Sequence, residues 1–143
     1  MAVAILAGVV LAVYGIAAMV WPVHLWALSA IFRLRTPENV APSERHIRYW
    51  RAGGAVYATA GTAMAILVAL GDEGGSPGVG WALLAGAALT LAMTVYAWRA
   101  PTVPNRKLPP DEPGHLPYGV WNVGLCFAIF MMVGFGLNQL TGS

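Results

Sequence analysis

Four stretches of this chain are long enough to cross a membrane as helices and contain no Asp, Glu, Lys, Arg or His: Ala2 to about Trp21, Ala52 to Leu70, Val79 to Trp98, and Tyr118 to about Leu140. A helix rises 1.5 Å per residue, so about 20 apolar residues span the roughly 30 Å hydrocarbon layer. Inside that layer each segment must satisfy its own backbone hydrogen bonds, which restricts a chain of this pattern to helices. Charged residues make up 10% of the sequence and hydrophobic residues 58%. A soluble domain carries about 25% charged residues, so this chain has too few to cover a water-facing surface. At 143 residues there is room for one membrane domain and no separate soluble one. The expected fold is an all-α integral membrane protein, a four-transmembrane-helix bundle.

The charges between these runs are sorted by gap. Arg33, Arg35, Arg45, Arg48 and Arg51 lie in or beside the first gap, and Arg99, Arg106 and Lys107 in or beside the third. The second gap carries only Asp72 and Glu73. Loops rich in Lys and Arg stay on the cytoplasmic side. The expected threading therefore places loops 33–51 and 99–117 in the cytoplasm and both termini outside, in a multipass protein of the cytoplasmic membrane. Trp21, Trp26, Trp50, Trp98 and Trp121 fall near the basic face and Trp81 near the other, as expected of headgroup-level anchors. A pI near 9.0 points to topology and to anionic lipid headgroups rather than to nucleic acid, because no exposed domain carries the charge.

The local punctuation refines these boundaries. The first run lacks the basic flank and small-residue cleavage site of a signal peptide and reads as a span. Pro22 should end or kink that helix. Val23 to Leu34 then reads as a short interfacial helix or a bent extension of the first span, with the interfacial reading favoured by Trp21 and Trp26. Pro37 and Pro42 mark a loop, Ser43 is an N-cap candidate, and Glu44 suits the first turn of the next helix. Arg45, Arg48 and Arg51 form a basic stripe there, with Glu44 and Arg48 at the i,i+4 spacing of an ion pair. Gly71 to Gly78 is a tight acidic turn. Six prolines between Ala100 and Pro117 exclude regular helix from the third loop.

Chemistry-bearing residues are sparse. Ionisable groups in the hydrocarbon usually mark ion pathways or substrate sites, and none lies within these runs. That argues against a proton-coupled pump or an ion-coupled transporter with a charged midplane site. His24, His46 and His115 all fall toward the basic face without the spacing of a metal site. His24 is the one candidate for cofactor binding. No metal site and no resident cofactor are expected. Cys126 is a lone thiol, and Met131 and Met132 read as packing residues. No nucleophile–base pair, phosphate-binding loop or carboxylate pair is present, which points to a non-catalytic protein.

Small residues carry more information. Gly53, Gly54, Gly61 and Gly86 are expected to let helices approach closely, and Thr59, Thr62, Thr90 and Thr94 to add interhelical hydrogen bonds. Asn122 is the strongly polar side chain most suited to bonding a neighbouring helix. Arg45, Arg48, Arg51, Arg106 and Trp26 are the expected contacts with lipid or a protein partner.

Pro22, Trp26, Pro37, Glu38, Pro42, Arg51, Gly53 and Gly54 follow a recognisable order: a first span, a Pro and aromatics, a Pro- and Glu-rich loop, then an Arg-x-Gly-Gly entry into the second span. In this order, over roughly residues 8–70, the chain resembles a group of small prokaryotic membrane proteins known as a domain of unknown function. Its four-span plan is also similar to the broader DoxX-like proteins. The resemblance implies a prokaryotic multipass fold and no particular activity. Three functions are carried forward: an accessory or assembly subunit of a larger membrane complex, a small oligomeric transporter or pore, and a pigment- or metal-binding protein using interfacial histidines. The expected partners are membrane lipids and other membrane subunits, with a homo-oligomer as a further option and no nucleic acid.

Overall fold

A computed structural model describes residues 1–33, 42–71, 76–100 and 118–141. These form five helices in chain order: α1 (Ala2–Val20), α2 (Pro22–Arg33), α3 (Glu44–Leu70), α4 (Pro77–Trp98) and α5 (Tyr118–Thr141). All except α2 are long and apolar enough to cross a membrane. The protein is thus an all-α bundle of four candidate spans with one additional short helix.

Local chemistry sets the helix ends. Trp21 leaves helical geometry at φ −121° and ψ 53°, separating α1 from α2. Pro22 then opens α2, where its fixed φ is already helical and its missing N–H would have had no partner. The Ser43 side chain accepts from the His46 N–H and caps α3, with Glu44 in the first turn. Gly71, at φ +64°, closes α3 in the left-handed conformation that glycine adopts without strain. Pro77 stands in the first turn of α4.

The packing is asymmetric. α3 is the hub, touching α1 on one side and α4 and α5 on another. Among the described helices α1 touches only α2 and α3. The α1–α3 contact is made of small residues on both helices. A Cβ on Gly61 would lie 2.5 Å from the Ala12 nitrogen and 2.6 Å from the Gly8 oxygen. Gly8 and Gly54 are equally tight, with Cβ positions 2.8 Å from the Gly61 oxygen and 2.7 Å from the Gly15 oxygen. Lipid tails are as apolar as the helix surfaces, so this interlocking supplies attraction that the hydrophobic effect does not.

α3, α4 and α5 share two buried clusters. Tyr49, Ala52, Ala97 and Leu125 meet near the arginine-rich end. Ala63, Val79, Leu83, Ala87 and Met132 meet toward the other end. Gly86 admits Thr59 of α3, whose side-chain atoms occupy the space a Cβ would need. The threonines otherwise depart from the expectation of interhelical bonds. Thr62 donates to the Ala58 carbonyl and Thr94 to the Thr90 carbonyl, each within its own helix. A carbonyl four residues back is always within reach of a helical threonine, whereas an acceptor on a neighbour is not.

Candidate functional site

The start of α3 brings together most of the charged side chains among the described residues. Arg45 donates from Nε to the Ala100 carbonyl at 2.9 Å and from Nη2 to the Trp98 carbonyl at 2.8 Å. Arg48 donates from Nη1 to the Tyr96 carbonyl at 2.9 Å, pairs with Glu44 through Nη2, and stacks 3.7 Å above the Tyr96 ring centroid. The accepting carbonyls belong to the end of α4, where the helix offers no further N–H donors and its dipole is negative. Two arginines of the expected basic stripe are therefore turned onto a neighbouring helix. Arg51, next along the stripe, is exposed. Arg106, expected to join this surface, lies outside the described residues, as do Lys107 and His115.

Beneath the arginines lies a layer of aromatic and amide groups. Asn122 on α5 accepts through Oδ1 from the Tyr49 hydroxyl of α3 at 2.6 Å and from the Trp98 indole of α4 at 2.9 Å. One amide oxygen thereby ties three helices. Trp121 stacks on Tyr49 at 6.1 Å between centroids and meets His46 edge-to-face at 5.9 Å. Trp50 donates to Nε2 of His46 at 3.0 Å. The Trp121 indole nitrogen is buried and has no hydrogen-bond partner among the described residues.

From this layer a furrow runs between α3 and α5. It begins in a cleft of about 240 Å³ bordered by Tyr14, Ser29, Trp50, Gly53, Tyr57 and Trp121. It passes through a second of about 350 Å³, with Gly53 and Val56 on one wall and Gly124, Leu125 and Ala128 on the other. It widens to about 500 Å³ between Ala60, Met64 and Leu67 of α3 and Phe127, Met131 and Phe135 of α5. Adjoining clefts share lining residues, Gly53, Tyr57 and Trp121 between the first two and Val56 and Ala128 between the second and third, so they follow one another along the bundle's side. Gly53, Ala60, Gly124 and Ala128 are small and leave space along the furrow's bed.

The expected site residues thus separate. Gly54, Gly61 and Gly86 lie at close helix contacts, whereas Gly53 faces the furrow, its Cβ position 3.5 Å from the Trp121 ring. Asn122 is bonded within the protein. Trp26 is only 5% exposed, so the lipid or partner contact expected of it does not match its position. α2 lies against α1 and α3 and carries Trp26 inward, leaving the neighbouring Trp21 59% exposed. His24 is exposed on α2, with no second histidine described beside it. Among the described residues no three of His, Cys, Asp and Glu come together around a possible metal position.

Tyr49 was missed by sequence reasoning, and His46, Trp50, Trp98 and Trp121 were read only as residues near the basic face, although the arrangement depends on their contacts with one another. The i,i+4 spacing of His46 and Trp50 was their one local signal. The arrangement offers an apolar trough, a hydrogen-bonded head and an exposed arginine, features suited to binding and assembly.

A family model, described as a family of unknown function (DUF6199), matches residues 7–68. The matched stretch contains most of α1, all of α2 and nearly all of α3, within a chain that has four candidate membrane spans. No curated protein and no solved structure matches the chain.

Proposed function

We propose that this protein is a non-catalytic accessory or assembly subunit of a larger membrane complex. The observation that carries the reading is the open furrow between α3 and α5. Small residues line it on both sides, Gly53 and Ala60 on α3 and Gly124 and Ala128 on α5, and a Cβ at Gly124 would meet nothing within 4 Å, which leaves room for a further helix to approach. Phe127 and Phe135 stand beside it 64% and 56% exposed, aromatic surface that a neighbouring span would cover. On this reading Arg51 faces lipid headgroups or the partner's polar segments. The arginine-rich end lies at the cytoplasmic surface of a prokaryotic inner membrane, following the bias of basic residues between the first and third gaps. The DoxX-like likeness extends the proposal to that broader four-span group.

Purification of the native protein in mild detergent, with a photo-crosslinking residue at Phe127, tests this assignment. The expected outcome is a complex containing unrelated membrane subunits in fixed ratio, one of them crosslinked at that position. A homo-oligomer alone, crosslinked only to itself, would overturn the assignment and favour a small oligomeric transporter or pore. The absorption spectrum of the same sample tests the pigment alternative, which requires a visible band that His24→Ala removes.

A further inference from the structure

His46 is a buried histidine, 2% exposed, at the head of the furrow. Its Nε2 lies 3.0 Å from the indole nitrogen of Trp50. An indole N–H has no acceptor lone pair and can only donate, so the nitrogen facing it must be unprotonated. The geometry therefore requires a neutral imidazole with its proton on Nδ1. Trp50 borders the first cleft of the furrow, and its ring lies 6.4 Å from that of Trp121. The same indole thus shapes the mouth of the furrow and is fastened to a titratable base.

We propose that His46 and Trp50 form a proton-sensitive latch on the mouth of the furrow. When Nε2 takes up a proton, an N–H opposes an N–H, the hydrogen bond is lost, and the indole leaves its place against the cleft. Histidine is the side chain whose ordinary titration range allows this between pH 8 and 5.

Among the described residues, the surrounding charges do not supply a competing switch within that range. On α3, Glu44 pairs with Arg48, Arg45 and Arg48 are bonded to the end of α4, and Arg51 is exposed. α4 carries Arg99, which is exposed, and α2 carries His24, also exposed. Tyr49 is hydrogen-bonded to Asn122. α5 presents Trp121 to His46 and has no charged residue. The latch rests on these contacts and not on the accessory-subunit assignment.

The test uses the full-length protein in nanodiscs, with the Trp50 indole ¹⁵N–¹H signal assigned from Trp50→Phe. Acidification from pH 8 to 5 should move that signal along a single sigmoid matched by the His46 imidazole ¹³C signal. In His46→Gln, whose side-chain carbonyl can accept from the indole without titrating, the signal should stay fixed. A spin label at Gly124→Cys, in a Cys126→Ser background, should change mobility over the same range only when His46 is present. A Trp50 signal that does not move, or that moves equally in His46→Gln, would overturn the latch. A titrating indole beside an unresponsive label would overturn its link to the furrow. Should His46→Gln not fold, noncoincident imidazole and indole titrations in the unaltered protein would refute the proposal, with His24→Gln identifying the other described histidine.

Discussion

Gly61→Ala places one methyl group where the α1–α3 contact has no room for it. The added carbon would meet the Ala12 nitrogen at 2.5 Å and the Gly8 oxygen at 2.6 Å, while ordinary contact begins near 3.4 Å. Both obstacles are backbone atoms, so α1 itself must retreat by about 0.9 Å. A gap of 0.5–1 Å forfeits about a quarter to a half of each dispersion contact along the seam. Overpacking generally costs about 1–3 kcal/mol, and alanine returns up to about 1 kcal/mol of helix propensity over glycine. The net expectation is a loss of about 1–2 kcal/mol, roughly 5- to 30-fold in the folding equilibrium.

Gly124→Ala is the matched control, because a Cβ there meets nothing within 4 Å. It should leave stability unchanged or raise it by up to about 1 kcal/mol. Denaturant titration in mixed micelles, followed by circular dichroism, should give a lower midpoint for Gly61→Ala and an equal or higher one for Gly124→Ala. Coincident midpoints would refute the claim that backbone proximity holds α1 in place.

Three further outcomes follow from the arginine-rich end. Asn122→Leu strands the Tyr49 hydroxyl and the Trp98 indole and should cost about 2 kcal/mol, while Asn122→Asp, which keeps the acceptor, should cost less in the same titration. Arg45→Ala removes two bonds to carbonyls at the end of α4; with one of them exposed, the expected loss is about 1–2 kcal/mol, accompanied by faster amide exchange in the last turn of α4. In a Cys126→Ser background, a membrane-impermeant maleimide should label Gly78→Cys in intact cells and Arg51→Cys only after the membrane is opened. The opposite pattern would invert the proposed threading.

The helices were legible because their boundaries are written locally. Pro22, Ser43, Gly71 and Pro77 each act on the backbone within a turn, and the expected spans agree with α1, α4 and α5 to within a few residues. α3 begins earlier than its apolar run, at Glu44, because Ser43 caps it and the Glu44–Arg48 pair favours its first turn. Distant partners were not legible. Arg45 and Arg48 read as a basic stripe offered to lipid or a partner because the carbonyls that attract them lie about 50 residues away in sequence. Gly53 and Gly54 adjoin in sequence, yet one faces the furrow and the other meets α1, since a helix turns about 100° per residue. The furrow itself required the relative placement of three helices, which no single segment encodes.

The central position of α3 gives it two unrelated duties. Its Gly54, Ala58, Gly61 and Ala65 edge is occupied by α1, and its Tyr49, Ala52, Val56 and Ala63 edge by α4 and α5. Damage to one edge need not travel to the other, so the losses from Gly61→Ala and Tyr49→Phe should simply add. The matched residues 7–68 end near the close of α3, so they include the α1–α3 seam and stop before α4 and α5. A substitution on α5 can therefore reshape the furrow without touching the glycine seam, which lies on another side of α3.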